Sequence, residues 1–391
     1  MWGSLIDYWY YSGDTTYNDI ISQAILFQTG PQNDFLTPNQ TRSTGNDDQA
    51  FWAITAMSAA ELKFPNPPST SPQWLALAQA VFNEQASRWD TRQCGGGLRW
   101  QIQNFNTGYE YRNSVANGCF FNLASRLGAY TQNATYFDWA DKTWNWMEAI
   151  GLISPRFNVF DGSDDRINCT RIDQTQWSYN VGSLLLGAAT MWNQTSSDPN
   201  AQALWAERTS GLINASALFF HQPGNIMFEI ECEPTSVCNN DQFSFKAYLS
   251  RWMAATTKVA PWTAAQILPF LSNSAQAAAK QCSGGSDGVT CGTKWWTDAG
   301  VWDGTYGVGQ QMSALEVIQS LLIGGVAGPV GNSTGGTSQG DPSAGTGSGA
   351  EEGIGAAWHG PITTKDKVGA WVLTAVVIVG WIGVAWVSEC G

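Results

Sequence analysis

Ionisable side chains are scarce in this sequence: Asp, Glu, Lys and Arg make up 13% of 391 residues, and only two histidines occur, His221 and His359. A Ser-His-Asp relay would depend on His221 alone, because His359 lies in a Gly/Ser/Thr-rich stretch near the carboxyl end. Zinc-ligand spacing, a Gly-Lys-Ser/Thr phosphate loop and a GxGxxG turn are all missing, so no metal and no cofactor is expected. The 19 basic residues form no run and the formal charge is -13, which argues against nucleic acid as a partner. Thiolate nucleophiles are equally unpromising if the eight cysteines are oxidised.

What is plentiful points to carbohydrate. There are 21 tryptophans, and indole faces stack on the apolar faces of sugars, although for any one tryptophan burial in the core is the commoner explanation. Asn39, Asn133, Asn168, Asn193, Asn214 and Asn332 each begin an Asn-x-Ser/Thr acceptor. Together with the cysteines they indicate an oxidising compartment where glycans are added. By proximity the expected disulfides are Cys94 with Cys119, Cys232 with Cys238 and Cys282 with Cys291, spacing alone leaving connectivity open. Cys169 is then left over and Cys390 falls in the tail.

Val368 to Val387 is an uncharged apolar stretch of bilayer-spanning length, preceded by a small-residue spacer from about Gly324. Small residues, a polar spacer and a terminal apolar tail form the pattern of a GPI-attachment signal; a single transmembrane span is the alternative. The expected organisation is therefore a domain over 1–323, a linker over 324–367 and an anchor over 368–391. No basic and apolar leader opens the chain; Met1 to Trp9 already has the periodicity of an amphipathic helix. The expectation is that the natural amino terminus lies further upstream.

Helical periodicity dominates up to residue 323. Trp177, Val181, Leu184, Leu185, Ala188 and Trp192 share one face, as do Phe245, Tyr248, Leu249, Trp252 and Met253. Segments near 15–29, 47–62, 72–90, 114–131, 135–151, 198–215, 263–280 and 307–323 behave alike, and β signals are sparse. The aromatic, polar turn, aromatic pattern at Tyr11–Tyr17 recurs at Tyr130–Tyr136, as expected for repeating helical hairpins. With the opening segment the helices number eleven, and a twelfth lost upstream would complete an all-α (α/α)6 barrel. Its loss is expected to leave the barrel open.

Carboxylates remain as the reactive groups, and glycosidic cleavage uses them in pairs. Asn46-Asp-Asp-Gln-Ala-Phe-Trp52 places Asp47 and Asp48 at a helix start. Capping and the helix dipole explain one acid there without any chemistry. Two adjacent acids repel unless one is protonated, and that coupling separates their titration into acid and base roles.

Asn46–Trp52, Cys94-Gly-Gly-Gly-Leu-Arg-Trp-Gln101, Asn113-Ser-Val-Ala-Asn-Gly-Cys-Phe-Phe121, Gln176-Trp-Ser-Tyr-Asn180, Asp241–Trp252 and Gly307–Glu316, in that order, resemble glycoside hydrolase family 76. The likeness is greatest to its fungal branch of mannan endo-1,6-α-mannosidases. It implies a retaining mechanism on an (α/α)6 barrel, with Asp47 as nucleophile and Asp48 as acid/base. The implied donor is α-mannan or the mannose core of a GPI glycan, and the implied acceptor is water or wall glucan. The place of action would be the secretory pathway, plasma membrane and cell wall. Arg99, Trp100, Gln176, Trp177, Tyr179, Asn180 and Gln310 are candidate sugar contacts, while Asp241 and Lys246 are expected to form a structural ion pair. A mannan-binding wall protein on the same barrel is the alternative; loss of either acid would favour it, and both are present.

Overall fold

The computed structural model describes residues 1–297 and 301–346, together with Lys367, Trp371 and Thr374. Eleven α-helices occur among them, matching the periodic segments one for one: α1 Trp2–Ser12, α2 Asn18–Phe27, α3 Asn46–Glu61, α4 Trp74–Ser87, α5 Ser114–Thr131, α6 Ala134–Ile150, α7 Ser178–Gln194, α8 Pro199–Ser216, α9 Phe245–Val259, α10 Ala264–Gln281 and α11 Val308–Gln319. In a three-stranded antiparallel sheet β1 Tyr111–Asn113 leads into α5, while β2 Gly162–Asp164 and β3 Ile172–Asp173 lie between α6 and α7 in the chain.

The odd-numbered helices form an inner ring. Each packs on the next, from α1 against α3 round to α9 against α11, and α11 returns to α1. These helices are buried on most sides, as a ring enclosed by a second layer requires. Small residues let them approach closely. A Cβ on Gly118 of α5 would reach the Ser183 hydroxyl at 2.5 Å, and one on Gly187 of α7 would overlap the ring of Phe121.

Outside the ring α2, α4, α6, α8 and α10 each back an inner helix. Among the described residues no α-helix backs the seam between α11 and α1. The expected opening does not reach the inner ring, which α1 completes. Arg251 of α9 holds that seam together by ion pairs to Asp7 of α1 and Glu316 of α11.

The axis of the ring is filled midway by rings. Phe51 lies 4.6 Å from Tyr248 and Tyr248 lies 5.7 Å from Trp252, centroid to centroid, giving a floor of aromatic groups. The amino ends of the inner helices bear the candidate residues Asp47, Asp48, Tyr179, Asn180 and Gln310.

The stretch after 323 is not all free linker. Ser338 accepts a hydrogen bond from the Leu75 amide, Asn83 donates to the Pro342 and Ala344 carbonyls, and Val330 donates to Glu61. Chain up to Gly345 thus belongs to the same compact unit as the barrel. The apolar segment predicted as an anchor lies outside the described residues save Trp371 and Thr374; among described residues no helix is long and apolar enough to cross a membrane.

Two of the expected disulfides form, Cys232–Cys238 and Cys282–Cys291. The third is corrected: Cys94 bonds Cys169, across 75 residues, and Cys119 is a buried free thiol. Cys119 lies inside α5, facing a cluster with Ala50, Ile54 and Trp252, where no chain segment bearing Cys94 could reach it. All six glycan acceptors, Asn39, Asn133, Asn168, Asn193, Asn214 and Asn332, are exposed.

Candidate active site

The first turn of α3 carries Asp47 and Asp48, and its geometry follows from three features. Gly45 is the N-cap, extended at φ -87°. The Asp48 carboxylate turns back to accept the Gly45 amide at 2.8 Å, satisfying one of the unpaired donors of the helix start. The Trp100 indole N–H donates to Asp47 Oδ2 at 3.0 Å, while Asp47 Oδ1 has no hydrogen-bond partner among the described residues. A buried carboxylate oxygen without a donor is uncommon and calls for a functional explanation.

Gly45 also sets how close the acids come. A Cβ built there would overlap Asp47 Oδ1 and stand 3.3 Å from Asp48 Oδ2, so those two oxygens lie within about 6 Å of each other. Solvent reaches Asp48 and partly reaches Asp47, yet both sit deep among protein groups. That loss of water raises both carboxyls, Asp47 to about 7, with the Asp48 charge as its second cause. Below about pH 7 the pair retains a proton, and its titration belongs to both groups together.

A buried polar network fixes the turn from behind. Asn46 donates to the Arg99 carbonyl and accepts from Arg88 Nε, each at 2.9 Å, while its own carbonyl takes a bond from Gln85. Gln49 donates to Glu84 and to the Asp34 carbonyl, and Arg88 binds Gln49 and Glu84. Asn46 and Gln49 stood in the Asn-Asp-Asp-Gln motif without an assigned task; their partners are 35 or more residues away in most cases and could not be read from spacing.

The other candidates divide. Trp100 reaches the pair directly. Tyr179 stacks on Phe245 at 3.8 Å and Trp177 meets the same ring edge-on at 5.6 Å, forming an aromatic wall where α7 and α9 begin. Burial and the charges of Asp161 and Asp47 hold the Tyr179 phenol well above its ordinary value, which places all three in one neighbourhood. Asn180 is fully buried with neither amide atom hydrogen-bonded among the described residues, and burial raises the Asp161 carboxyl near it, an effect that Tyr111 and Asn180 oppose. Gln310 is buried in the first turn of α11 beneath Gly307, and Gln176 is half-buried ahead of α7.

The Arg99 guanidinium pairs with Asp90 at 3.0 Å and with Asp165, and lies 4.5 Å from the centre of the Tyr109 ring, contacts that brace its loop. The expected Asp241–Lys246 pair is corrected. Lys246 is buried against Glu233 at 2.8 Å, whereas Asp241 is exposed and its charge bears on Asp48. Asp161, whose carboxylate accepts from Tyr111 at 2.9 Å, is a further buried acid near Tyr179 that no motif had indicated; it directly precedes β2, which pairs with β1.

The model of glycosyl hydrolase family 76 matches residues 1–333. The chain belongs to that family. Among family 76 relatives, the mannan endo-1,6-alpha-mannosidase DCW1 of Candida glabrata is 50% identical over 348 residues, covering 88% of this chain and 76% of its own. The DCW1 enzyme of Saccharomyces cerevisiae is 48% identical, covering 96% of this chain and 81% of its own. The crystal structure of Dfg5 from Chaetomium thermophilum in complex with glucosamine matches with a TM-score of 0.85 and 46% identity, covering 92% of this chain and 86% of that one. The family 76 (α/α)6 barrel expected from the motifs is therefore the fold of this chain.

Proposed function

We propose that this family 76 member is a retaining α-mannosidase and transglycosidase acting on α-1,6-linked mannose. The observation that carries the reading is the close approach of Asp47 and Asp48. An oxygen-to-oxygen approach under about 6 Å is compatible with direct attack by one carboxylate, the arrangement in which retaining enzymes hold their carboxyl groups about 5–5.5 Å apart. Relatives at 48–50% identity named as mannan endo-1,6-alpha-mannosidases support the substrate.

In this mechanism Asp47 attacks C1 of the donor mannose while Asp48 gives its proton to the departing oxygen. Positive charge growing at C1 favours the state with Asp47 ionised and Asp48 protonated. Asp48 then removes a proton from water or an acceptor hydroxyl as that oxygen displaces Asp47. The donor is α-mannan or the mannose core of a GPI glycan, and wall glucan is the acceptor when transfer wins over hydrolysis. The three disulfides and six exposed glycan acceptors support action on the secretory route, at the plasma membrane and cell wall.

The pH dependence tests the shared proton. Because loss of solvent raises both carboxyls, the one-proton state spans mildly acidic pH and ends as pH rises through about 7. kcat/KM on an α-1,6-mannoside should rise and fall as a bell whose alkaline limb lies near 7. Activity that stays level to about pH 9 would contradict it.

A further inference from the structure

Next to the acid pair, on the side of Asp48, is a cavity of 290 Å³ that none of the motif residues named above explains. Asp48 borders it and Asp47 does not. Trp52 and Phe35 supply an apolar wall, their rings stacked at 5.6 Å and 13° from parallel, and Gln40, Ser43 and Thr44 complete a polar rim. Trp52 stands four residues after Asp48 on α3, one helical turn on, so indole and carboxylate share a face.

The wall is held at a conformational cost. Phe35 has φ 63°, a left-handed backbone that bulky residues avoid, and it is almost fully buried. Its amide is tied to the Thr29 carbonyl, and the next amide, of Leu36, to Asp34 Oδ1. Strain of this kind persists where the surroundings over-determine it, and it gathers at ligand clamps. Here it sets the phenyl ring against Trp52.

We infer that this cavity is the subsite for the leaving and incoming sugar, and that Trp52 determines how well a saccharide competes with water for the mannosyl-enzyme. The inference rests on the roles proposed for the two acids. The acid/base group must reach the oxygen that departs with the leaving sugar, so the ring carrying that oxygen sits on Asp48's side. The size is at the small end of ligand sites, about 300–1,000 Å³, and suits one pyranose ring. Indole offers an apolar face, the Gln40 amide offers polar atoms, and the hydroxyls of Ser43 and Thr44, which donate to the Gln40 carbonyl, keep oxygens able to accept from a neutral polyol.

The chemistry balances in both directions. As the C1–O bond breaks, Asp48 donates its proton to the leaving oxygen, the C1–Asp47 ester forms, and a neutral sugar leaves the cavity. An acceptor hydroxyl then enters, loses its proton to Asp48 and bonds to C1 as the ester breaks. Asp47 is again a carboxylate and Asp48 again an acid. A sugar held in the cavity excludes water from the same position.

The test uses α-1,6-mannobiosyl fluoride as donor and either α-1,6-mannobiose or a β-glucan oligosaccharide as acceptor, with released fluoride and transfer product both measured. Trp52→Ala should lower the ratio of transfer to hydrolysis about tenfold and raise the acceptor KM, and Trp52→Phe should recover most of it. Gln40→Ala, at an exposed rim position, should lower the ratio about threefold and guards against a Trp52 variant that does not fold. A ratio within twofold of wild type in both Trp52→Ala and Gln40→Ala, or a Trp52→Ala enzyme in which both reactions fall in parallel, would overturn the subsite. Asp47→Asn should lose both reactions; if it keeps both, the reading of the acid pair beneath this inference falls instead.

Discussion

Asp47→Asn should fold and bind normally yet lose about 10⁴-fold in kcat on an α-1,6-mannoside, because an amide cannot form the glycosyl ester that divides the reaction into two steps. The substitution is nearly isosteric, so the Trp100 indole still finds an oxygen at the position it now meets at 3.0 Å. Asp48→Asn should give a different defect. Without a proton for the departing oxygen, an unactivated mannoside should react about 10²–10⁴-fold more slowly. A fluoride, which leaves without that proton, should still form the ester, and added azide should then release it as mannosyl azide, since azide needs no base. Product analysis of the three enzymes checks both halves. Equal turnover by wild type and both variants would remove the acid pair from the mechanism.

Gly45→Ala is the second large effect, and it comes from a residue with no reactive group. Its backbone, at φ -87° and ψ 168°, is one that alanine adopts freely, so chain entropy alone would make the change slightly stabilising. Space decides the sign of the catalytic effect. The new methyl would overlap Asp47 Oδ1 and stand 3.0 Å from the Trp100 carbonyl and 3.3 Å from Asp48 Oδ2. Relief requires the Asp47 carboxylate to swing away, with the Asp48 carboxylate giving by a few tenths of an ångström. A displacement of about 1 Å at a reacting group costs on the order of 10²-fold, so kcat/KM should fall about 100-fold while the melting temperature stays within a few degrees. Wild-type kcat/KM in the Gly45→Ala enzyme would show that the crowded arrangement is not the reactive one.

The parts of this molecule that the sequence makes legible are those governed by local periodicity. Helix α7 reads clearly because Val181, Leu184, Leu185 and Ala188 recur at helical spacing, and all four are buried. The pairing of Cys94 was unreadable for the opposite reason. Its partner, Cys169, sits in a left-handed turn after β2, at φ 55°, where the neighbouring Asn168 side chain accepts the Cys94 amide at 2.6 Å. Arg99 stands beside the glycine run, and its ion pairs to nearby Asp90 and to Asp165, distant in sequence, could not be read from spacing. Asp161 carried no motif at all; only the register of β1 on β2 brings it beside Tyr111. The acid pair itself was visible because adjacency at a helix start is a local fact. The close approach permitted by Gly45 was not, since it depends on how two side chains fold back over one residue.

The account depends on Asp47 becoming covalently attached to the donor sugar. Incubation with a 2-deoxy-2-fluoro-mannosyl fluoride, whose fluorine at C2 slows release of the ester, followed by digestion and mass spectrometry of the peptides, reads that event directly. A single added fluoromannosyl residue on the peptide containing Asp47, fragmenting to place it on Asp47, is the expected result. An unlabelled protein that nevertheless turns over mannoside, or a label carried by Asp48, would contradict it.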